Sequence, residues 1–192
     1  MLKKALESVL TLEESEKLIS AFDQIGDIII VRIPDSLISK KKLIGQTLLD
    51  EVKIARSVFY QSSPVNGDFR TRNLEILAGE DNTVTTYKEF GCKFLVDVEN
   101  AFFSPRLSTE RERIAGLIRD GEIINNMFAG VGMFSITAAK KERCTVYSLD
   151  INPTASSLCE RNIELNKLKG NVISINGDSS KIVNQELIDL AD

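Results

Sequence analysis

The sequence of 192 residues contains no histidine. Proton transfer must therefore depend on carboxylates, lysine, tyrosine or cysteine, and histidine-dependent triads and most metal-dependent hydrolase designs are excluded from this chain. Cysteine is also scarce: Cys92, Cys144 and Cys159 are odd in number, and none of them share a Cys-x-x-Cys spacing. We therefore expect no disulfide framework and no zinc site, but three buried, reduced thiols.

Long apolar runs are absent too. No stretch approaches the ~18 apolar residues of a membrane-spanning helix, and acids in MLKKALESVLTLEESEK stand where a signal peptide needs its apolar core. These features predict a cytoplasmic protein with no membrane partner. The net charge of −4 argues against a uniformly basic nucleic-acid coat, although it says nothing against local basic patches. The apolar fraction of 43% is ample for a packed core.

The first hundred residues indicate an α+β domain with a mainly antiparallel sheet. Residues 2–22 have a helical apolar pattern with a capping-box match at Thr11 and Glu14. A short apolar strand at 27–33 and a helix at about 36–52 follow. Further strand-like runs lie at about 54–60, 69–77, 83–89 and 92–98. We place the domain at residues 1–100.

After residue 100 the pattern changes to alternating helices and strands, which predicts a parallel sheet with right-handed crossovers. A helix at 108–118 precedes strands and helices at 122–127, 132–141, 144–149, 153–166 and 171–176. The fold class is therefore α/β, with an incomplete Rossmann-like sheet in residues 101–192 behind the smaller α+β domain. Three parallel strands are few for such a domain, so we expect the chain to be truncated.

The segment from Ile123 to Pro153 predicts the first βαβ unit of a nucleotide-type cofactor site. An apolar strand leads into AGVG, where Gly130 and Gly132 allow a sharp turn and close approach of a ligand to the main chain. The following helix presents its free N–H groups to the same crevice. Asp150 ends the next strand about twenty residues later, where a carboxylate can accept both ribose hydroxyls.

A glycine pair alone is more often only a turn, but its place between a strand and a helix favours a cofactor site. Ile136 occupies the position of the third glycine in the dinucleotide fingerprint, which makes NAD and FAD less favoured. S-adenosylmethionine fits better, because it has no pyrophosphate to bind.

Several motifs carry a family resemblance: FRTRNLEILAGEDNTVTTYKEFGCKFLVDV, FFSPRLSTERERI, NMFAGVGMFSI, LDINP and INGD. In these motifs and their order, the chain resembles the archaeal and eukaryotic tRNA (guanine-N1-)-methyltransferases that modify guanosine 37, just 3′ of the anticodon. The similarity is strong from Gly67 to Asp178 and weak before Ser63. It implies a class I, Rossmann-like methyltransferase, S-adenosylmethionine as cofactor, the tRNA anticodon stem-loop as partner, no metal and a monomeric state.

The resemblance also implies a role for each matched residue. Arg70 should contact guanine O6, Glu110 should accept the N1 proton, and Arg111 should touch the cofactor. The methionine part of the cofactor should contact Phe128, Ala129, Gly130 and Gly132. The ribose should contact Asp150 and Ile151, and the adenine should contact Asp178 and Ser179.

The chemistry of guanine N1 is consistent with that catalytic pair. N1 becomes a nucleophile when its proton leaves and charge spreads onto O6, so a base and a cation are needed together. Without histidine, we expect the base to be a carboxylate whose pKa is raised by partial burial, partnered by an arginine. Each residue also has an ordinary structural interpretation: Glu110 as a helix-dipole residue, Arg70 as a solvated charge on a strand, and Asp178 as a helix cap.

The sequence departs from the family pattern in three respects. Asn126 replaces an expected acid before the glycine turn, and Phe102 replaces an expected tyrosine. The sequence also ends without the family's Asn-Leu-Pro or Asn-Pro-Pro motif, so we expect this chain to be a poor catalyst. For docking on RNA phosphates we predict Lys40 to Lys42, Arg56 and Arg70 to Arg72, with an ordinary helix surface as the alternative for the lysines.

Two other functions stay open. A transferase of the same fold moves an aminocarboxypropyl group in wyosine biosynthesis, and it would favour a glutamate in place of Asp150 and a less intact SPRLSTER segment. A tRNA-binding module without its catalytic half is the third candidate.

Overall fold

The computed structural model describes residues 6, 9–17, 22–63, 67 and 69–187. The chain divides into two compact units, one of residues 1–67 and 71–85 and one of residues 68–70 and 86–192. The division therefore falls near residue 85, whereas the sequence suggested residue 100. The difference has a physical cause, because the hairpin that ends at Asp97 is hydrogen-bonded to a helix of the second unit.

The first unit contains a four-stranded sheet of β1 (Asp23–Ile25), β2 (Ile28–Val31), β3 (Ser57–Gln61) and β4 (Leu74–Gly79), in that order. The β1–β2 and β3–β4 pairs are antiparallel, and β2–β3 is parallel. A 3-10 helix (Asp35–Lys40) and helix α2 (Lys41–Glu51) make the crossover between the two parallel strands. The predicted strand at 69–77 begins only at Leu74.

The core of the first unit lies between its sheet and helix α2. All four residues of β2 are buried, as an apolar run with both faces covered requires. The helix contributes Ile44 and Leu48 to the same core. Helix α1 (Leu12–Lys17) begins with the predicted capping box: the Thr11 N–H donates to Glu14 at 2.9 Å, and the Glu14 N–H donates to Thr11 Oγ1 at 3.2 Å. Much of the predicted 2–22 helix lies outside the described residues.

The second unit contains a three-stranded parallel sheet in the order β7 (Ile123–Asn126), β8 (Thr145–Asp150) and β9 (Asn171–Asn176). Helices α4 (Met133–Lys141) and α5 (Pro153–Glu164) connect successive strands. A hairpin of β5 (Val84–Glu89) and β6 (Cys92–Asp97) comes before the sheet in sequence, followed by a 3-10 turn (Pro105–Leu107) and helix α3 (Ser108–Leu117). After β9 come the short helix α6 (Ser179–Ile182) and a π-helical turn (Val183–Leu187). The predicted α/β fold with a parallel sheet is confirmed.

All three cysteines are buried and free, which confirms that prediction. Burial raises the pKa of each thiol, in Cys159 to about 11. Across the described part of the chain, no helix combines the length and apolar character needed to cross a membrane.

Candidate cofactor cleft

A cleft of about 280 Å³ lies at the carboxyl ends of the three parallel strands. Open parallel α/β sheets bind their ligands at this edge, because the loops there converge on helix N-termini. Each strand contributes residues at or just after its carboxyl end: Met127, Phe128 and Gly130 after β7, Asp150 to Asn152 at the end of β8, and Gly177 to Ser179 after β9. Phe69, Arg70, Phe102 and Ala155 complete the lining.

The glycine turn after β7 forms one side of the cleft. Gly130 and Gly132 both have positive φ angles, of 54° and 86°, which a residue with a side chain rarely adopts. Gly132 caps helix α4, and a Cβ at this position would lie 2.6 Å from the Sγ atom of Cys159. Around Gly130 there is space, since a Cβ there would meet only the carbonyl of Phe102 at 3.5 Å. Gly130 therefore lines the cleft, whereas Gly132 allows close packing of α4 against α5.

Asp150 joins the three loops at the end of the central strand. Its carboxylate accepts the Gly130 N–H at 2.6 Å and the Asn152 N–H at 2.9 Å, one on each oxygen. Its main-chain carbonyl accepts the Gly177 N–H at 3.0 Å and the Asn176 side-chain amide at 2.9 Å. Each carboxylate oxygen keeps a second lone pair, so this half-buried side chain can still accept hydroxyl groups from a ligand.

Asp178 and Ser179 follow β9 on the opposite side of the cleft. Asp178 caps α6, because its carboxylate accepts the Ser180 N–H at 3.0 Å and the Ser180 hydroxyl at 2.7 Å. The side-chain bond to Ser180 lowers the pKa of Asp178, so the carboxylate is ionised at neutral pH. The cap interpretation therefore holds, and the same carboxylate also faces the cleft.

Aromatic side chains and one arginine lie along the rim. Phe128 is 84% exposed, an unusual degree for a phenylalanine, and Phe69 and Phe102 are also exposed. The guanidinium of Arg70 lies over the Phe102 ring, 5.1 Å from its centroid. Arg70 stands in a turn with a φ of 50°, not on a strand, which corrects that alternative.

The structure contradicts the expected environment of Glu110. This residue lies in the first turn of α3, outside the cleft lining, and its side chain is 46% exposed. Both carboxylate oxygens accept from Arg113, at 2.8 and 2.7 Å. Arg113 consequently lowers the pKa of Glu110, whereas burial was expected to raise it. The prediction of a partly buried, weakly acidic carboxyl was wrong, because the helix places a cation three residues away.

Arg111 makes a buried structural contact, and its contact with the cofactor stays a prediction. Its side chain is 2% exposed and forms a two-pronged ion pair with Glu89 of the hairpin, with N–O distances of 2.5 and 2.7 Å. A third bond reaches the carbonyl of Ser104 at 3.2 Å. Arg111 therefore holds α3 and the preceding loop to β5, and it does not line the cleft.

Most, but not all, of the other predicted cofactor residues reach the cleft. Phe128, Gly130, Asp150, Ile151, Asp178 and Ser179 line it, as does the predicted catalytic residue Arg70. Ala129 does not, because it is buried and its N–H donates to Leu149 at 2.9 Å. Sequence reasoning missed Phe69, Met127, Asn152, Ala155 and Gly177. The motifs FRTR, LDINP and INGD could have indicated Phe69, Asn152 and Gly177, because each of these residues is adjacent in sequence to a predicted site residue.

The lysines at 40–42 and Arg56, which were predicted to dock on RNA, already have partners within the first unit. Lys40 pairs with Glu14, Lys41 with Glu75 and Arg56 with Asp27. Lys42 donates to the Ile76 carbonyl at 2.6 Å, and Arg72 is 9% exposed. The ion pairs at the surface are screened by solvent and can open readily, but buried Arg72 is not a surface phosphate contact.

The parallel sheet, its crossover helices and the cleft at its carboxyl edge define the class, which is that of the Rossmann-like class I methyltransferases. The model of the TRM5/TYW2 methyltransferase domain matches residues 85–191, and the model of the TYW2 N-terminal domain matches residues 2–83. The chain belongs to the TRM5/TYW2 family, which confirms the resemblance drawn from its motifs.

One similar protein is tRNA (guanine(37)-N(1))-methyltransferase Trm5b of Pyrococcus abyssi, 44% identical over 163 residues. The alignment covers 85% of this chain and 49% of the relative, so the chain spans about half the length of the curated relatives it matches. The structure of aTrm5 in complex with tRNALeu matches with a TM-score of 0.84 and 34% identity, over 100% of this chain and 62% of the other.

Two solved relatives from Methanocaldococcus jannaschii contain ligands. Trm5 in complex with adenosine is 36% identical, with a TM-score of 0.78 over 93% of this chain and 54% of the other. TYW2 in complex with AdoMet is 31% identical, with a TM-score of 0.59 over 82% of this chain and 57% of the other.

Proposed function

We propose that this chain binds S-adenosylmethionine in the cleft and acts in methyl transfer to N1 of guanosine 37 in tRNA. The single observation that carries the proposal is the position of Asp150, which holds the loops around the cleft and keeps lone pairs free toward a ligand. Two further facts support it: the family membership, and the names of relatives that methylate this nucleoside.

The residues of the cleft fit such a cofactor. Gly130 provides open space beside the main chain, where a side chain would obstruct a ligand. The carboxylates of Asp150 and Asp178 suit ribose hydroxyls and an adenine amino group, because an ionised carboxylate is an acceptor only. The exposed ring of Phe128 offers an apolar face to the methionine part. When bound, S-adenosylmethionine supplies an electrophilic methyl group on sulfur.

The chain's own residues would activate the guanine. A cation beside O6 stabilises the charge that develops when N1 loses its proton, and Arg70 is the rim cation available for this role. Glu110 is the proposed acceptor of the N1 proton. Because Arg113 occupies both of its oxygens, this role requires Arg113 to release the carboxylate when substrate binds. The pair is exposed and screened by solvent, so it can open readily.

The partner we propose is the anticodon stem-loop, whose unpaired guanosine can leave the stack without disruption of a long duplex. Exposed Phe69 and Phe102 support this, since aromatic rims suit unstacked bases. A monomeric state and a cytoplasmic location are carried over from the resemblance to tRNA methyltransferases.

Transfer of an aminocarboxypropyl group is the second candidate. The match of residues 2–83 to the TYW2 N-terminal domain favours it. The aspartate at position 150 favours methyl transfer, because the rival is expected to carry a glutamate there.

The test is a single-turnover reaction with excess chain, so that even a poor catalyst leaves a product. An unmodified tRNA transcript with guanosine at position 37 and S-adenosylmethionine are incubated with the chain, and nucleosides are analysed by mass spectrometry. The proposal predicts N1-methylguanosine together with S-adenosylhomocysteine, and neither from a transcript with adenosine at position 37. Methylthioadenosine as the by-product would favour the rival. If calorimetry detects no binding of S-adenosylmethionine by the chain, the cofactor assignment is wrong.

A further inference from the structure

Asn162 of helix α5 and Asn166, which lies two residues beyond the end of that helix, bind the backbone of strand β6 as a neighbouring strand would. The side chain of Asn162 accepts the Leu95 N–H at 2.6 Å and donates to the Leu95 carbonyl at 3.0 Å. One helical turn later, Asn166 accepts the Lys93 N–H at 2.9 Å and donates to the Lys93 carbonyl at 2.7 Å. Each amide therefore satisfies both main-chain groups of one strand residue.

The spacing of the two elements makes this pairing work. The helical turn continues just past the end of α5, because the N–H groups of Leu165 and Asn166 donate to the carbonyls of Arg161 and Ile163. Residues four apart on a helical turn are separated by ~6 Å along its axis, and residues two apart on a strand by about 6.6 Å. Asn162 thus lies opposite Leu95, and Asn166 lies opposite Lys93, so the two segments pair in opposite directions. The side-chain amides close the edge of the hairpin, which would otherwise expose unpaired N–H and C=O groups.

Asn162 makes one contact that Asn166 does not. Its side-chain NH2 group also donates to the Val131 carbonyl, at 2.9 Å, inside the glycine turn. The corresponding group of Asn166 donates instead to the main-chain carbonyl of Asn162, four residues earlier, at 2.7 Å. Asn162 is 0% exposed and Val131 is 1% exposed, so no water can replace the amide at this carbonyl.

The Val131 carbonyl is a sensitive place to hold the turn. It lies between Gly130 and Gly132, whose positive φ angles leave the connecting peptides with more freedom than ordinary residues would allow. Gly132 also packs against Cys159, which precedes Asn162 by three residues and faces the same side of α5. The helix therefore contacts the turn at two points, one by packing and one by a hydrogen bond.

We propose that Asn162 is a positioning residue, which fixes the glycine turn in its ligand-binding conformation through the Val131 carbonyl. The consequence for the cofactor depends on the proposed function, whereas the effect on the turn does not. Asn166 offers a matched control, because it has the same residue type and binds the same strand in the same way but makes no bond to the glycine turn.

The experiment compares Asn162→Asp with Asn166→Asp in the full chain by native-state hydrogen exchange. Either aspartate keeps the acceptor for the strand N–H and loses the donors, but only at position 162 does an oxygen then face the Val131 carbonyl. We expect the amides of Ala129, Gly130 and Gly132 to exchange about tenfold faster in Asn162→Asp, and within about twofold of wild type in Asn166→Asp, since tenfold corresponds to the loss of one buried hydrogen bond. Equal exchange of these amides in both variants overturns the inference.

A titration with S-adenosylhomocysteine separates this inference from the proposed function. We expect Asn162→Asp to bind it about tenfold more weakly than wild type, and Asn166→Asp to bind within about twofold. Absence of binding by wild type refutes the cofactor cleft, while the exchange data still decide the role of Asn162. If Asn162→Asp does not fold, Asn162→Ser removes the donor without adding a charge, and unchanged exchange in that variant also overturns the inference.

Discussion

Replacement of Asp150 by asparagine is expected to weaken S-adenosylmethionine binding by about 10- to 100-fold. In the wild type, one carboxylate oxygen accepts the Gly130 N–H at 2.6 Å and the other accepts the Asn152 N–H at 2.9 Å. Asparagine has the same shape, but one of its two groups is an NH2 donor. Whichever way the amide turns, a donor then faces one of these two N–H groups.

The magnitude follows from the kind of bond that is lost. Hydrogen bonds to charged groups contribute about 1.5–3 kcal/mol. The variant loses the bond to either Gly130 or Asn152, so its free energy of unfolding should fall by an amount of that size. A ribose hydroxyl also loses its bond to the ionised carboxylate, and a further ~1.5–3 kcal/mol in binding gives the stated range of affinities.

Asp120→Asn is the matched control. Asp120 also has both oxygens engaged, by Arg143 at 3.0 Å each, but this pair is exposed and lies outside the cleft lining. The loss of an exposed, solvent-screened pair should change the stability little, and it should leave the dissociation constant unchanged.

Isothermal calorimetry at 25 °C on the three proteins measures both effects, with thermal unfolding as a check that each is folded. If Asp150→Asn binds S-adenosylmethionine within twofold of wild type, the carboxylate does not hold the ribose, and the central argument for the cleft fails. An equal loss in Asp120→Asn would show that the effect is general and not specific to the site.

Three further predictions concern other residues. A Glu110 that acts as the base must be deprotonated, and Arg113 favours this state because it lowers the pKa of Glu110. The variant Arg113→Gln should therefore shift the acidic limb of the pH–rate profile of methyl transfer to higher pH. An unchanged acidic limb would argue against Glu110 as the base. Gly132→Ala should lower the free energy of unfolding by about 2–4 kcal/mol, since it combines a positive φ with a clash against Cys159. Gly130→Ala should lower the free energy of unfolding by only about 1 kcal/mol, because it has the positive φ without the clash. Equal losses for the two variants in chemical denaturation would contradict this reasoning. Cys159, with its pKa raised to about 11, should resist iodoacetamide at pH 8 in the folded chain, and rapid labelling detected by mass spectrometry would contradict its burial.

The sequence was a good guide wherever one local pattern has one structural outcome. The capping box at Thr11 and Glu14 formed as predicted, because both partners lie within a single helical turn. The alternation after residue 100 gave a parallel sheet, since strands joined by helices have few other arrangements. The domain boundary was harder, because a hairpin pattern does not reveal which neighbour its second strand will bind.

Within the site, the sequence by itself determined the glycine turn, the acid at the end of β8 and the family, because these depend on residue type and spacing along the chain. Tertiary structure alone decided the environments of charged side chains. Arg111 and Glu89 are 22 residues apart in sequence, and no local pattern predicts that they meet. The fold nevertheless brings the two side chains into a buried ion pair. The contact of Asn162 with the Val131 carbonyl depends in the same way on which atoms meet in space, and no spacing in the sequence encodes it. The Glu110–Arg113 pair is different, because the two residues lie within one helical turn and their spacing was readable in the sequence.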